Sequence, residues 1–243
     1  MLVLLLPPSE GKATGGDGPG WTIEDGRFGP ALARHRTRVA NALKRAKGGT
    51  AKQLGAKGEL LGAAKAANLG VVGAATLPAH ERFTGVVWGH LGPSTLPSDA
   101  RRRAEAGVLV LSALTGITAW TDPVPDFRLK LSASLPPIGN LAAFWRPALS
   151  TVLNDRLAGH TVVDLLANEH RAAWVPEPDR YDLRRPALTF PDGRPAGHGG
   201  KAAKGLLARS LLTSDDVEAT LTGFDPGAHG LVGAEGLLLT VET

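Results

Sequence analysis

The chain opens with Leu2–Leu6, an unbroken aliphatic run halted by Pro7 and Pro8, and no other stretch limits the fold as strongly. Successive side chains of a strand point to opposite faces, so a strand that is apolar at every position needs a covering layer on both sides. Two prolines in succession then end the element, because neither supplies an amide hydrogen to a ladder or a helix. Runs of the same character recur at Val108–Leu111 and Val162–Leu166. Such runs require a buried sheet covered by helices. Leu2–Leu6 is too short for the apolar region of a signal peptide and no basic segment precedes it. No stretch approaches the roughly 18 continuous apolar residues of a membrane span, so a cytoplasmic protein without a membrane segment is expected.

The helices are written in the periodicity between these runs. Pro30–Lys47 carries Leu32, Val39 and Leu43 at core spacing among Arg34, Arg36, Arg38, Lys44, Arg45 and Lys47, the pattern of a basic amphipathic helix. The stretch 48–70, interrupted by Gly55, Gly58 and Gly62, reads as short helices joined by tight turns. Asn140–Leu157 is a helix that Pro147 should kink or shorten, and Lys201–Leu212 is a second basic helix. A strand end at Thr189–Asp192 and a last strand at Leu237–Val241 complete the reading, while Ala79–Leu91 fits neither period.

Three of the strands are each followed by a polar cluster, and carboxyl ends of strands are where ligands gather in sheets entered from one side. Ser9, Glu10, Gly11 and Lys12 follow the first, offering amides and an ammonium to an anion such as a phosphate, or simply forming a solvated loop. Ser112–Gly116 turns at the end of the second. Glu169 and His170 follow the third, as a general acid or base would, although neighbours on an extended segment face opposite ways. Asp122, Asp126 and Arg128 lie in a proline-stiffened segment, where an ion pair is more often structural than catalytic. The spacing of a phosphate-binding P-loop is missing, and so is a serine-hydrolase elbow. The histidines are scattered singly and there is no cysteine, so no metal site is expected.

With 27 Lys and Arg against 23 Asp and Glu, the formal net charge is +4, which permits an anionic partner without demanding one. The two basic helices suit phosphate contact, the second through Lys201, Lys204 and Arg209; solvated faces of ordinary helices explain the same charges.

Taken in order, several pieces resemble the YaaA family of peroxide stress proteins: "LLPPSEGK" from Leu5, "RFTGVVWGHL" from Arg82, the stretch "VLSALTGITAWTDPVPDFRLKL" from Val110, "LAAFWRPALSTVLNDRL" from Leu141, "VVDLLANEHRAAW" from Val162, "KAAKGLLARSLL" from Lys201 and "GFDPGAHGLVGAEGLLLTV" from Gly223. The resemblance implies one α+β domain over residues 1–243, with a central mixed β-sheet surrounded by helices, a positively charged cleft and a helix-hairpin-helix-like basic element. It implies a DNA-binding protein that limits free iron and oxidative damage under hydrogen peroxide; no cofactor is expected, and of the oligomeric states, which the residues leave open, a monomer is favoured. Family motif positions fall on Lys12, Gly85, Ser112, Gly116, Asp122, Arg128, Glu169, Lys201, Gly205 and Arg209. Thr115, Phe127 and His170 depart from the pattern, each replacing a family aromatic or tyrosine.

On this reading DNA phosphates meet Arg34, Arg36, Arg38, Lys44, Arg45, Lys47, Lys204 and Arg209, while Ser9, Glu10, Ser112 and Asp122 line the cleft. The alternative is an enzyme acting on an anionic, nucleotide-like small molecule, with Lys12, Arg128, Glu169 and Lys201 as its catalytic groups.

Overall fold

The computed structural model of the protein describes residues 1–190, 196–229 and 238–242. Its largest sheet has six strands in the spatial order 238–242, 182–189, 161–164, 2–6, 108–112 and 116–119. Leu2–Leu6 sits in the middle, parallel to Val108–Ser112 on one side and to Thr161–Asp164 on the other. Asp182–Thr189 continues the parallel set, whereas Gly116–Ala119 and Leu238–Glu242 close the two edges antiparallel. The sheet is therefore mixed, and helices surround it in an α+β arrangement. Val3, Leu4, Leu5 and Leu6 are at most 1% exposed, as an all-apolar central strand requires.

Around the sheet, Gly29–Arg45 packs on Leu141–Leu157 and on Gly58–Leu69, while Gly197–Thr213 packs on Val86–Leu91 and Ser98–Gly107. Leu141–Leu157 runs unbroken through Pro147, so the proline does not shorten the helix. The third strand is shorter than its apolar run, ending at Asp164 instead of Leu166, because the Asp164 carboxylate accepts the Leu166 amide at 2.9 Å and turns the chain. Ala79–Leu91 resolves into two short helices, Ala79–Arg82 and Val86–Leu91, broken at Gly85 where φ is +102°. The strand ending near Thr189 begins at Asp182 and is longer than expected; the part of that expectation at 191 and 192 lies outside the described residues, as does Leu237 of the last strand. Periodicity did not reveal Ser98–Gly107, a helix whose buried face consists only of Ala100, Ala104 and Gly107 and so carries little apolar signal.

The glycine-punctuated region forms Ala51–Leu54, capped at Thr50 by reciprocal bonds with Gln53, a turn at Gly55–Lys57, and then Gly58–Leu69. Gly55 and Gly58 have φ of +59° and +55°, conformations that side chains disfavour. Among the described residues no helix is long and apolar enough to cross a membrane.

Candidate functional site

The site begins at the topological switch of the sheet. From Leu2–Leu6 the chain goes on to a neighbour on one side, and from Thr161–Asp164 to a neighbour on the other, so the segments beyond these two adjacent parallel strands part and leave a crevice at their carboxyl ends. Pro8, Ser9, Glu10 and Lys12 line it from the first strand, Glu169 and His170 from the second, and Arg128 and Lys130 from the segment between. Leu54 and Ala113 supply apolar wall.

Lys12 is the innermost cation. Its ammonium donates to the Ser9 carbonyl at 2.9 Å and lies 4.3 Å from the centre of the Phe127 ring. Phe83 stands on another side at 5.7 Å, held there by a bridge between the Lys12 and Phe83 backbones. Burial, reinforced by Arg128 and Arg82 against the pull of Asp126, brings the Lys12 ammonium down to about 7. At neutral pH this amine therefore exists in both protonation states.

Arg128 is the most firmly positioned group. Its Nε donates to the Leu54 carbonyl at 2.9 Å and its Nη2 to the Gly55 carbonyl at 3.4 Å, which ties the crevice directly to the glycine turn. Its backbone amide donates to Asn68 Oδ1 at 3.0 Å, and Asn68, fully buried, donates in turn to the carbonyls of Gly48 and Arg128, both at 2.8 Å. Glu10 closes the group: its carboxylate meets Arg128 at 3.3 Å and Lys130 at 3.1 Å. The Lys130 hydrogen bond, opposed by partial burial and aided by Arg128 and Lys201, holds Glu10 below the usual carboxylate range.

On the opposite wall Glu169 accepts a hydrogen bond from the Ser132 hydroxyl at 2.8 Å. His170 lies behind it, 6% exposed, in the short helix Asn168–Arg171. Burial lowers its pKa, with Lys204 acting in the same direction and Glu169 against them. Lys204 reaches this wall from the Gly197–Thr213 helix and donates to the carbonyls of Leu165 and Leu166, both at 3.0 Å. Burial and the nearby Arg171 bring its own ammonium down to about 8, with Asp164 opposing.

The profile of the peroxide stress protein YaaA matches residues 1–225. The chain belongs to the YaaA family. Its relatives include the UPF0246 protein of Streptomyces coelicolor, 34% identical over 220 residues that cover 88% of this chain and 84% of the relative. A UPF0246 protein of Corynebacterium efficiens is 30% identical over 226 residues, covering 91% of this chain and 89% of the relative. That of Corynebacterium glutamicum is 29% identical over 219 residues, covering 88% and 86%.

Against the YaaA-family motif positions the geometry divides the residues singled out in the sequence. Ser9, Glu10, Lys12, Arg128 and Glu169 line one crevice, and Lys201 stands close enough to act on Glu10 electrostatically. Ser112 and Asp122 do not belong to it. Ser112 is buried in a hydroxyl chain with Thr115 at 2.7 Å, which continues from Thr115 to Thr118 at 2.6 Å, and Asp122 accepts the amides of Arg27 at 3.0 Å and Ala119 at 2.8 Å. Gly116 and Gly205 serve packing: a methyl group at Gly205 would stand 2.2 Å from the Val87 carbonyl oxygen, and one at Gly116 would stand 2.7 Å from the Trp145 ring.

The basic residues divide too. Arg34, Arg38, Lys44, Arg45 and Lys47 are exposed, with Arg38 lying 4.7 Å from the centre of the Phe144 ring. Arg36 is 1% exposed and cannot meet a DNA phosphate; its guanidinium donates inward to the carbonyls of Thr115, Ile23, Asp25 and Ile117. Lys204 is likewise turned inward on Leu165 and Leu166. Arg209, half-buried, donates to the carbonyls of Leu91, Gly92 and Thr95, which fastens its helix to that loop.

Sequence reasoning passed over Arg82, Lys130, Ser132 and Asn68. Arg82 donates to the carbonyls of Val124, Ala13 and Gly15, fixing the chain just beyond Lys12. Lys130 stands one residue beyond Leu129, on the same side of an extended segment as Arg128, and that alternation was the signal for it. Among the described residues no three His, Asp or Glu side chains gather where a metal ion would sit.

Proposed function

We propose that this YaaA-family protein binds DNA in the cytoplasm through the phosphate backbone and by doing so limits iron-dependent oxidative damage under peroxide stress. One observation carries the reading: the exposed cations Arg34, Arg38, Lys44 and Arg45 of a single helix are followed by exposed Lys47 just past its end and, across Gly48 and Gly49, by exposed Lys52 and Lys57. A run of exposed cations suits the uniform charge of a phosphate backbone and reads no base edges. Binding should therefore be indifferent to sequence and should weaken steeply with salt. The experiment is fluorescence anisotropy of a labelled duplex across a salt series. Replacing Arg34, Arg38 and Lys44 together by alanine is expected to weaken binding for every sequence alike and to reduce the slope of log K against log salt by about 0.9 per lost contact. Unchanged affinity and slope in this variant would overturn the proposal.

The crevice supports a second reading, an enzyme acting on a small anionic molecule. Lys12, poised at about 7, and the Glu169 carboxylate beside the buried imidazole of His170 stand where general acid–base groups stand, with Arg128 and Lys130 to hold an anion. Nucleotides and smaller phosphates that raise the melting temperature would be substrates to test. Glu169→Gln is then expected to abolish turnover while leaving DNA affinity intact.

A further inference from the structure

The feature of the crevice that neither role accounts for is Glu10. Arg128 is fixed through its guanidinium by the carbonyls of Leu54 and Gly55 and through its backbone amide by the buried Asn68, so apart from a 3.5 Å contact of Nη1 with the Glu10 carbonyl it is held without help from the Glu10 side chain. The stem of Lys130 runs over Gly55, so closely that a methyl group there would stand 2.5 Å from its Cε, and it therefore approaches from outside the Ser9–Lys12 loop. Glu10 itself has no such support. Its side chain is 63% exposed, it follows Ser9 on a loop that continues into exposed Gly11, and its contacts at 3.1 and 3.3 Å are open to solvent on the Glu10 side, while their partners Lys130 and Arg128 are more enclosed. An ion pair made by an exposed carboxylate adds little net stability, so another anion can compete with Glu10 for its partners. A second observation points the same way. The Nδ1 of His170 is buried and makes no hydrogen bond, since the nearest Glu169 oxygen is 4.0 Å away, yet the ring lines the same polar crevice. Buried polar atoms are nearly always paired, so an unpaired one on a residue that lines a crevice is a candidate for completion by a ligand group or water.

Building on the second reading above, we propose that Arg128 and Lys130 form the seat for the phosphate or carboxylate end of a small ligand, that Glu10 occupies this seat as a displaceable internal anion, and that His170 hydrogen-bonds the ligand's far end. Glu10 places one oxygen on Arg128 and the other on Lys130, so an anion with two oxygens on one centre spans the same pair. While Glu10 occupies the seat, the apparent affinity of any ligand is lowered to the fraction of time the seat is open. Glu10 thereby acts as a selectivity device: a weak single anion does not dislodge it, and a ligand that also reaches His170 does.

The test uses the full chain and inorganic pyrophosphate as probe, titrated calorimetrically at constant ionic strength into the wild type, Glu10→Gln, Glu10→Gln with Arg128→Lys, and the remote control Asp179→Asn. Circular dichroism melting of each variant verifies folding. Glu10→Gln is expected to bind pyrophosphate about tenfold tighter or more, Asp179→Asn to bind as the wild type, and the added Arg128→Lys to erase the gain. If the wild type and Glu10→Gln bind equally, the crevice still takes anions but Glu10 is not its occupant, and the inference fails alone. If neither binds, both the inference and the small-anion reading fail. A gain that Asp179→Asn reproduces, or that survives Arg128→Lys, is a general charge effect and also overturns the inference.

Discussion

Arg36 and Arg34 stand two residues apart on one helix, and their environments make opposite demands. Arg36 holds four backbone carbonyls from two separate loops, so Arg36→Ala should leave buried acceptors unpaired and cost more than about 2 kcal/mol. Arg34→Ala, on the exposed face, should change stability by less than about 0.5 kcal/mol. Urea unfolding of the two variants measures the contrast directly. Lys12 supplies a pH signature. Its pKa falls from 10.5 to about 7 on folding, so between these values the unfolded chain binds more protons than the folded one and the contribution of Lys12 to stability rises with pH. Below about 7 the amine is charged in both states and the cost of burying the ammonium is fully present. Lys12→Met should therefore be more favourable relative to the wild type at pH 6 than at pH 9. Equal differences at the two pH values in denaturant titrations would show that the ammonium is not buried at a cost.

Among the elements, Gly197–Thr213 and Val86–Leu91 approach closely because Gly205 has no side chain, and Arg209 then locks the pair through the carbonyls of 91–95. Gly205→Ala forces the Val87 backbone or the helix to move, at a cost of about 1–3 kcal/mol. A melting temperature lowered by several degrees in calorimetry is the expected result, and no change would mean that the helices separate freely. Much of this level is legible in sequence. Leu2–Leu6 and Gly29–Arg45 follow from runs and periods because burial acts on every residue of a central strand and on every core turn of a helix. Ser98–Gly107 was invisible for the converse reason: alanine and glycine pack a close interface without an apolar stripe to betray it.

For the molecule as a whole, the crevice and the glycine turn are one body, since Arg128 serves both. An anion seated on Arg128 shares the guanidinium that holds the Leu54 and Gly55 carbonyls, so a ligand in the crevice and DNA on the basic helix are expected to alter each other's affinity, and by the same factor. Repeating the anisotropy titration with saturating pyrophosphate measures this coupling, and identical DNA affinities with and without it would separate the two regions. The sequence by itself determined the buried strand, its proline stop, the basic helix and the polar residues that follow the strands, because these depend on neighbours along the chain. Only the tertiary structure decided which cations face solvent and which turn inward, and that Ser9–Lys12, Arg128–Lys130 and Glu169–His170 share a crevice while Ser112 and Asp122 do not. Periodicity places a residue on a face of its own element; strand order and the carbonyls presented by distant loops determine what that face meets.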